Sequence, residues 1–276
     1  MALSRRPKLG QHFLRDPAYC HRIVEELPVS QKDVVVEIGA GQGAMTELLA
    51  DRARRVLAVE IDPALASKLH ATFDTCDRVT IINGDILTTD LLELSRQYGA
   101  QECVVAGNVP YYITSPILHH MFAFRTCIRG MGLLVQREVA ERITAKPGNR
   151  EYGYLTVMSQ MCWRPRVALT VPPGAFSPPP KVHSAFVAFS NKPPSPPTSS
   201  DNVDRFLAFV RSCFAQKRKS LPNNLGRVYP RARICSALEA LGKSKHARAE
   251  ELPVEELAEL FNNLQCRDLL ESAPRS

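Results

Sequence analysis

The stretch that most constrains this chain is Val34-Val-Val-Glu37-Ile-Gly39-Ala-Gly41-Gln-Gly43-Ala44, a strand-forming run that passes directly into a loop with glycine at every second position. Glycine lets a ligand approach the main chain, and the amphipathic Met45–Asp51 follows at once, so the loop opens onto a helix N-terminus. The pattern then repeats without the glycines. Val56–Glu60, Val79–Ile82, Cys103–Ala106 and Gly132–Val135 read as strands, and Pro63–Phe73, Thr89–Arg96 and Pro116–Phe124 as helices between them. Strands separated by helix-sized segments predict a mainly parallel sheet covered on both faces, with any ligand at the carboxyl ends of the strands.

Proline marks the end of this region. Nine of the 21 prolines lie at 172, 173, 178, 179, 180, 193, 194, 196 and 197. The segment 191–201 (Asn-Lys-Pro-Pro-Ser-Pro-Pro-Thr-Ser-Ser-Asp) reads as a linker between a ligand-binding domain, 1–190, and a small helical domain, 202–276. In the latter, Phe206–Phe214, Arg233–Leu241 and Val254–Leu264 have helical spacing. From Arg205 to Arg248 there are eleven Lys or Arg against one acid, Glu239, far denser than the chain's net +7. That density is the footprint of a polyanion, foremost a nucleic acid.

Composition removes other classes. With 45% hydrophobic and 23% charged residues the chain is neither disordered nor fibrous. No apolar run reaches the roughly 18–20 residues of a membrane span, and the basic start Met1–Lys8 leads into no signal-like apolar core, so a cytoplasmic protein with no membrane partner is expected. The eight cysteines lie at least 22 residues apart, which predicts reduced thiols. His70, His119, His120 and His183 lack a companion set, and no metal is expected.

Taken alone, the glycine loop fits both a methyltransferase pattern and the dinucleotide fingerprint, with Glu60 at the end of the next strand placed for ribose hydroxyls. It indicates an adenosine-containing cofactor. Asn108-Val109-Pro110-Tyr111-Tyr112 separates the two. An exocyclic aromatic amine is a poor nucleophile because its lone pair is delocalised. An amide oxygen from Asn108 and the Val109 carbonyl can accept its two N–H protons and hold the nitrogen near-tetrahedral, while Tyr111 stacks on the base. Hydride transfer has no use for such a group.

With these motifs in order, the chain resembles the ribosomal RNA adenine N6,N6-dimethyltransferases, most closely their bacterial small-subunit branch, from about Lys8 to Leu264. The likeness rests on Lys8–Asp16, Glu37–Gly43, Val59–Asp62, Gly84-Asp85, Asn108–Thr114, Val135–Ile143, Tyr152–Thr156, Pro172–Val182 and Cys213–Leu221. His12 stands where asparagine is common, Tyr112 where asparagine or glutamine is frequent, and Thr114 where serine is usual. The resemblance implies a Rossmann-like class I methyltransferase fold, an α/β domain with a seven-stranded, mainly parallel sheet, plus the helical C-terminal domain.

It further implies that Gln11, His12 and Leu14 close over S-adenosylmethionine, with Gly39 and Gly41 beside its methionine part. Glu60 would take the ribose hydroxyls, Ile61 and Ile86 would sandwich the adenine, and Asp85 would accept from its amino group. Asn108, Val109, Pro110 and Tyr111 would form the target-adenine pocket, with Asn108 also beside the cofactor, and Phe176 would stack on the far face of the flipped base. Read without the resemblance, Phe176 is a hydrophobe pinning a proline loop and Asp85 a strand-end turn residue. Arg5, Arg6, Lys8, Lys217, Arg218 and Lys219 would hold RNA phosphates.

The expected activity is dimethylation of two adjacent adenosines in the 3′-terminal hairpin loop of 16S ribosomal RNA, on a pre-30S particle and by a monomer. The alternatives are a large-subunit dimethylase of the macrolide-resistance type and a non-catalytic assembly or transcription-factor-like relative.

Overall fold

A computed structural model describes residues 11–191 and 200–271. The chain forms strands β1 (Phe13–Leu14), β2 (Val34–Ile38), β3 (Arg55–Glu60), β4 (Val79–Asn83), β5 (Cys103–Asn108), β6 (Ile128–Gln136), β7 (Trp163–Val171), β8 (Phe176–Ser177) and β9 (Ser184–Asn191). The helices are α1 (Pro17–Glu25), α2 (Ala44–Arg52), α3 (Pro63–Thr72), α4 (Leu91–Gln97), α5 (Thr114–Ala123), α6 (Arg137–Ile143), α7 (Tyr154–Cys162), α8 (Ser200–Cys213), α9 (Leu221–Leu225), α10 (Arg231–Ala240) and α11 (Val254–Glu271). Contacts divide them into two units, 1–140 with 164–191, and 141–163 with 192–276.

In the first unit seven strands form one sheet in the order β4-β3-β2-β5-β6-β9-β7, and β1 pairs with β8 in a separate ribbon. The pairs from β4 to β6 are parallel, and β9 runs antiparallel to β6. All five residues of β2 are buried, as befits a central parallel strand covered on both faces. Its register is level with its neighbours, Ile38 opposite Val59 of β3 and Gly107 of β5. Chain order runs outward from β2 through β3 to β4, then returns to β5 on the other side of β2. The crevice of the fold therefore opens at the carboxyl ends of β2 and β5.

Close approach of these two strands depends on Gly107, where a Cβ would lie 2.9 Å from both the main-chain oxygen and the Cβ of Ile38. Two of the helices that follow the strands, α3 and α4, start on side-chain caps. Asp62 accepts from the Ala64 and Leu65 amides with Pro63 in the first turn of α3, and Asp90 accepts from Glu93 to start α4.

The expected domain division needs correction. Residues 141–163, read as part of 1–190, belong with the C-terminal helices. The cause is apolar: Val157, Met158 and Met161 of α7 are buried, α7 packs on α8 and α11, and the Tyr152 and Phe214 rings lie 6.1 Å apart. Phe206, Phe209 and Phe261 form the aromatic centre of this unit, with ring centroids 5.4–6.4 Å apart. Of the expected linker, 192–199 lies outside the described residues, while Asn191 ends β9 and Ser200 opens α8.

Gly107→Ala is expected to lower the unfolding free energy by about 1–3 kcal/mol, because a methyl group there must push β2 from β5. Urea unfolding of the purified variant checks it.

Candidate active site

At the crevice the residues facing one another line a cleft of about 700 Å³, the open solvent at its mouth included. Gln11, His12, Gly39, Gly41, Glu60, Ile61, Asp85, Ile86, Asn108, Val109, Pro110 and Tyr111 all line it. Phe13, Ile38, Val59, Gly84, Ile113 and Ile117 join them without having been singled out from sequence. A smaller adjoining hollow is lined by Leu14, Glu37, Gly39, Gly41 and Asn108, among others.

The glycine loop turns through positive φ at Gly39 (69°), Gly41 (59°) and Gly43 (86°), a conformation that disfavours any side chain. A Cβ on Gly41 would also lie 3.0 Å from the Phe13 ring. Buried Glu60 holds the loop: one carboxylate oxygen accepts from the Gly41 amide at 2.9 Å and the other from the Asp62 amide at 3.0 Å. Each oxygen keeps capacity for a further hydrogen bond, and Glu60 lines the cleft. Asp85 accepts from the Leu87 amide at 2.9 Å through Oδ1, so it is a turn residue and a cleft residue at once.

Glu37, inside the glycine motif, has no role that the sequence assigns. It is buried at 2% exposure, and the Thr46 hydroxyl donates to it at 2.6 Å. Burial, reinforced by the charge of Glu60 and opposed by the Thr46 hydrogen bond, pushes its carboxyl up to about 7. The Glu60 carboxylate already takes the Gly41 amide, which makes the loop a poor seat for a pyrophosphate. The signal was available in the sequence as an acid two positions before the first glycine.

The Asn108 amide is oriented. Its Nδ2 donates to the His12 carbonyl at 2.8 Å, and the reversed amide would set two oxygens against each other. Oδ1 is therefore an acceptor without a protein donor among the described residues. Pro110's carbonyl accepts from the Ile113 amide at 3.1 Å, whereas no hydrogen bond among the described residues engages that of Val109. The Tyr111 hydroxyl meets the Ser184 hydroxyl at 2.6 Å, and its ring stacks on His12 with centroids 5.7 Å apart. Partial burial raises the Tyr111 pKa, with the Ser184 contact opposing it, so the phenol is neutral. His12 in turn donates Nδ1–H to the Pro178 carbonyl at 2.7 Å, which fixes its tautomer.

Two expectations do not reach the cleft. Leu14 is buried and touches only the smaller hollow. Phe176, expected to stack on the base, is 4% exposed within the core cluster and does not line the cleft. Strand alternation is the reason: Leu14 pairs with Phe176 and both face the core, while Phe13 pairs with Ser177 and faces the cleft.

In the second unit Lys217 and Arg218 line a basic hollow with Arg142, Arg150, Arg248 and Tyr154, and Lys217 Nζ donates to the Arg150 carbonyl. Lys219 is exposed outside it. Arg142 and Arg150 were missed because they lie some seventy residues upstream in sequence. Arg5, Arg6 and Lys8 lie outside the described residues.

A family model described as ribosomal RNA adenine dimethylase matches residues 2–266. The chain belongs to the ribosomal RNA adenine dimethylase family. It is 46% identical over 265 residues to the ribosomal RNA small subunit methyltransferase A of Acidobacterium capsulatum, covering 96% of this chain and 93% of that protein. The protein of the same name from Koribacter versatilis is 39% identical, with 95% of each covered. Among solved structures, the 23S rRNA methyltransferase ErmE superposes with a TM-score of 0.73 at 30% identity over 91% of this chain and 99% of its own. A dimethyladenosine transferase from Plasmodium falciparum shares the fold, with a TM-score of 0.80 at 24% identity over 93% of this chain and 98% of its own. The chain is thus an adenine dimethyltransferase of ribosomal RNA with the methyltransferase fold, and no described helix is long and apolar enough to cross a membrane.

Because the folded-state pKa of Glu37 lies above its ordinary value, the neutral carboxyl is the form the fold favours. Its stabilising effect is complete below about pH 4.5 and is lost as pH rises through about 7. Glu37→Gln should therefore become more stable than wild type across that window, by a few kcal/mol at most, and match it at pH 4. Melting temperatures of both proteins against pH, without added ligand, measure the difference.

Proposed function

We propose that the protein transfers methyl groups from S-adenosylmethionine to N6 of two adjacent adenosines in the 3′-terminal hairpin loop of 16S ribosomal RNA. It would do so in the cytoplasm, as a monomer, on a pre-30S particle during small-subunit biogenesis. The observation that carries this reading is the pair of open acceptors, Asn108 Oδ1 and the Val109 carbonyl, beside a neutral stacked tyrosine in one cleft.

The residues present fit the cofactor. The positive-φ turn at Gly39 and Gly41 brings bare main chain to the cleft, and Glu60 on the Gly41 amide disfavours the dinucleotide pyrophosphate that the motif alone allowed. Glu60 would take the ribose hydroxyls, Asp85 the adenine amine through its second oxygen, and Ile61 and Ile86 the two adenine faces, with Gln11 and His12 over the top. When bound, S-adenosylmethionine supplies an electrophilic sulfonium methyl.

The chain's own contribution is positional. Asn108 Oδ1 and the Val109 carbonyl accept the two N6 protons and hold the amine out of conjugation, while Tyr111 fixes the ring plane. No general base is required, since the methylated nitrogen is cationic and loses its proton to solvent. A loop adenosine suits such a cleft because it is already partly unstacked. The names and higher identities of the small-subunit relatives favour that substrate over the large-subunit one. Intact acceptors favour turnover over a purely binding role.

Asn108→Ala should abolish methylation of precursor small subunits while leaving RNA affinity within a few-fold, read by methyl incorporation and filter binding. Undiminished incorporation would remove Asn108 from the mechanism. Neutralising Lys217, Arg218 and Lys219 together should weaken RNA binding and reduce the salt slope by about 2–3, at about 0.7–0.9 per phosphate contact. Titrations at several salt concentrations test this.

A further inference from the structure

Five large apolar side chains stand exposed among the described residues, and one is a whole aromatic ring, Tyr112, at 62%. It shares a single 3-10 turn, Tyr111–Ile113, with two residues that line the cleft, yet it does not line the cleft itself. No hydrogen bond or ring contact engages it among the described residues. The same rim carries a second exposed run, Lys181-Val182-His183, with Val182 at 44%. The next residue, Ser184, meets the Tyr111 hydroxyl at 2.6 Å, so the two runs flank the Tyr111 side of one opening. A free ring and an exposed lysine in two runs joined through Tyr111 and Ser184, next to the cleft, have the make-up of a single-strand nucleotide platform.

We propose that Tyr112 stacks on the base next to the one in the cleft, and that it thereby positions the substrate strand. The inference rests on the function proposed above. When one of two adjacent adenosines occupies the cleft, the other is left at the rim with an exposed face. Tyr112 offers that face a partner, and Lys181 offers the strand a positive charge. The hydroxyl is not needed for stacking, so phenylalanine should serve as well as tyrosine.

The test uses small-subunit particles assembled with a synthetic 3′-terminal hairpin. One form carries two adjacent loop adenosines; two others carry one adenosine with an abasic site on its 5′ or its 3′ side. Tyr112→Ala should lose about tenfold in kcat/KM on the normal particle, mainly through KM, the order that one base–aromatic stack contributes. On one of the abasic particles wild type should fall to the same level and Tyr112→Ala should lose nothing further. Tyr112→Phe should match wild type throughout. If Tyr112→Ala is unimpaired, or loses equally on all three particles, the platform is overturned while the methylation reading stands. If wild type fails to methylate the two-adenosine particle, both fall together.

Discussion

The site depends on one hydrogen bond, from the Asn108 amide nitrogen to the His12 carbonyl, which joins residues 96 positions apart. As a contribution to stability it is ordinary, about 1 kcal/mol. Its consequence is directional. With the nitrogen committed to His12, the amide presents oxygen to the cleft, and an oxygen is what an aromatic amine needs opposite its protons. The same histidine stacks on Tyr111 and donates to Pro178, so three segments remote in sequence share one anchor. The side-chain chemistry of the acceptor pocket is thus set by the main chain of the N-terminal segment.

A second constraint is electrostatic. Phosphate-binding glycine loops work because backbone N–H groups and a helix N-terminus attract negative charge. Here Glu37 and Glu60 lie buried under the loop, and Glu60 occupies the Gly41 amide. The geometry of a nucleotide-binding turn is kept, with the Glu60 carboxylate taking an amide that a phosphate oxygen would otherwise use. The price is visible in Glu37, whose burial beside a second acid favours its neutral form until neutral pH.

Much of this was legible locally. The strand Val34–Ile38 appears with the expected limits, and β3, β4 and β5 begin or end within two residues of expectation, because buried parallel strands are continuous β-branched runs. The strands β7 and β9 were not expected from their residues, although Ala185–Phe189 is a continuous apolar run, because prolines on either side read as a boundary. Phe176 lies off the cleft for a geometric reason. A two-residue ribbon sends neighbours to opposite sides, and only the pairing partner shows which side is which.

Residue types and spacing alone determined the βαβ order, the glycine turn, the strand-end acid and the amide-proline-tyrosine motif, since each is encoded within a few consecutive positions. They also placed the positive charge in the C-terminal third. Tertiary structure decided what no local window contains: that 141–163 joins the helical unit, that Arg142 and Arg150 meet Lys217 and Arg218, that Phe176 turns inward, and that His12 orients Asn108. Those outcomes depend on apolar faces finding partners and on donors meeting acceptors far along the chain, and such pairings exist only once the backbone has folded.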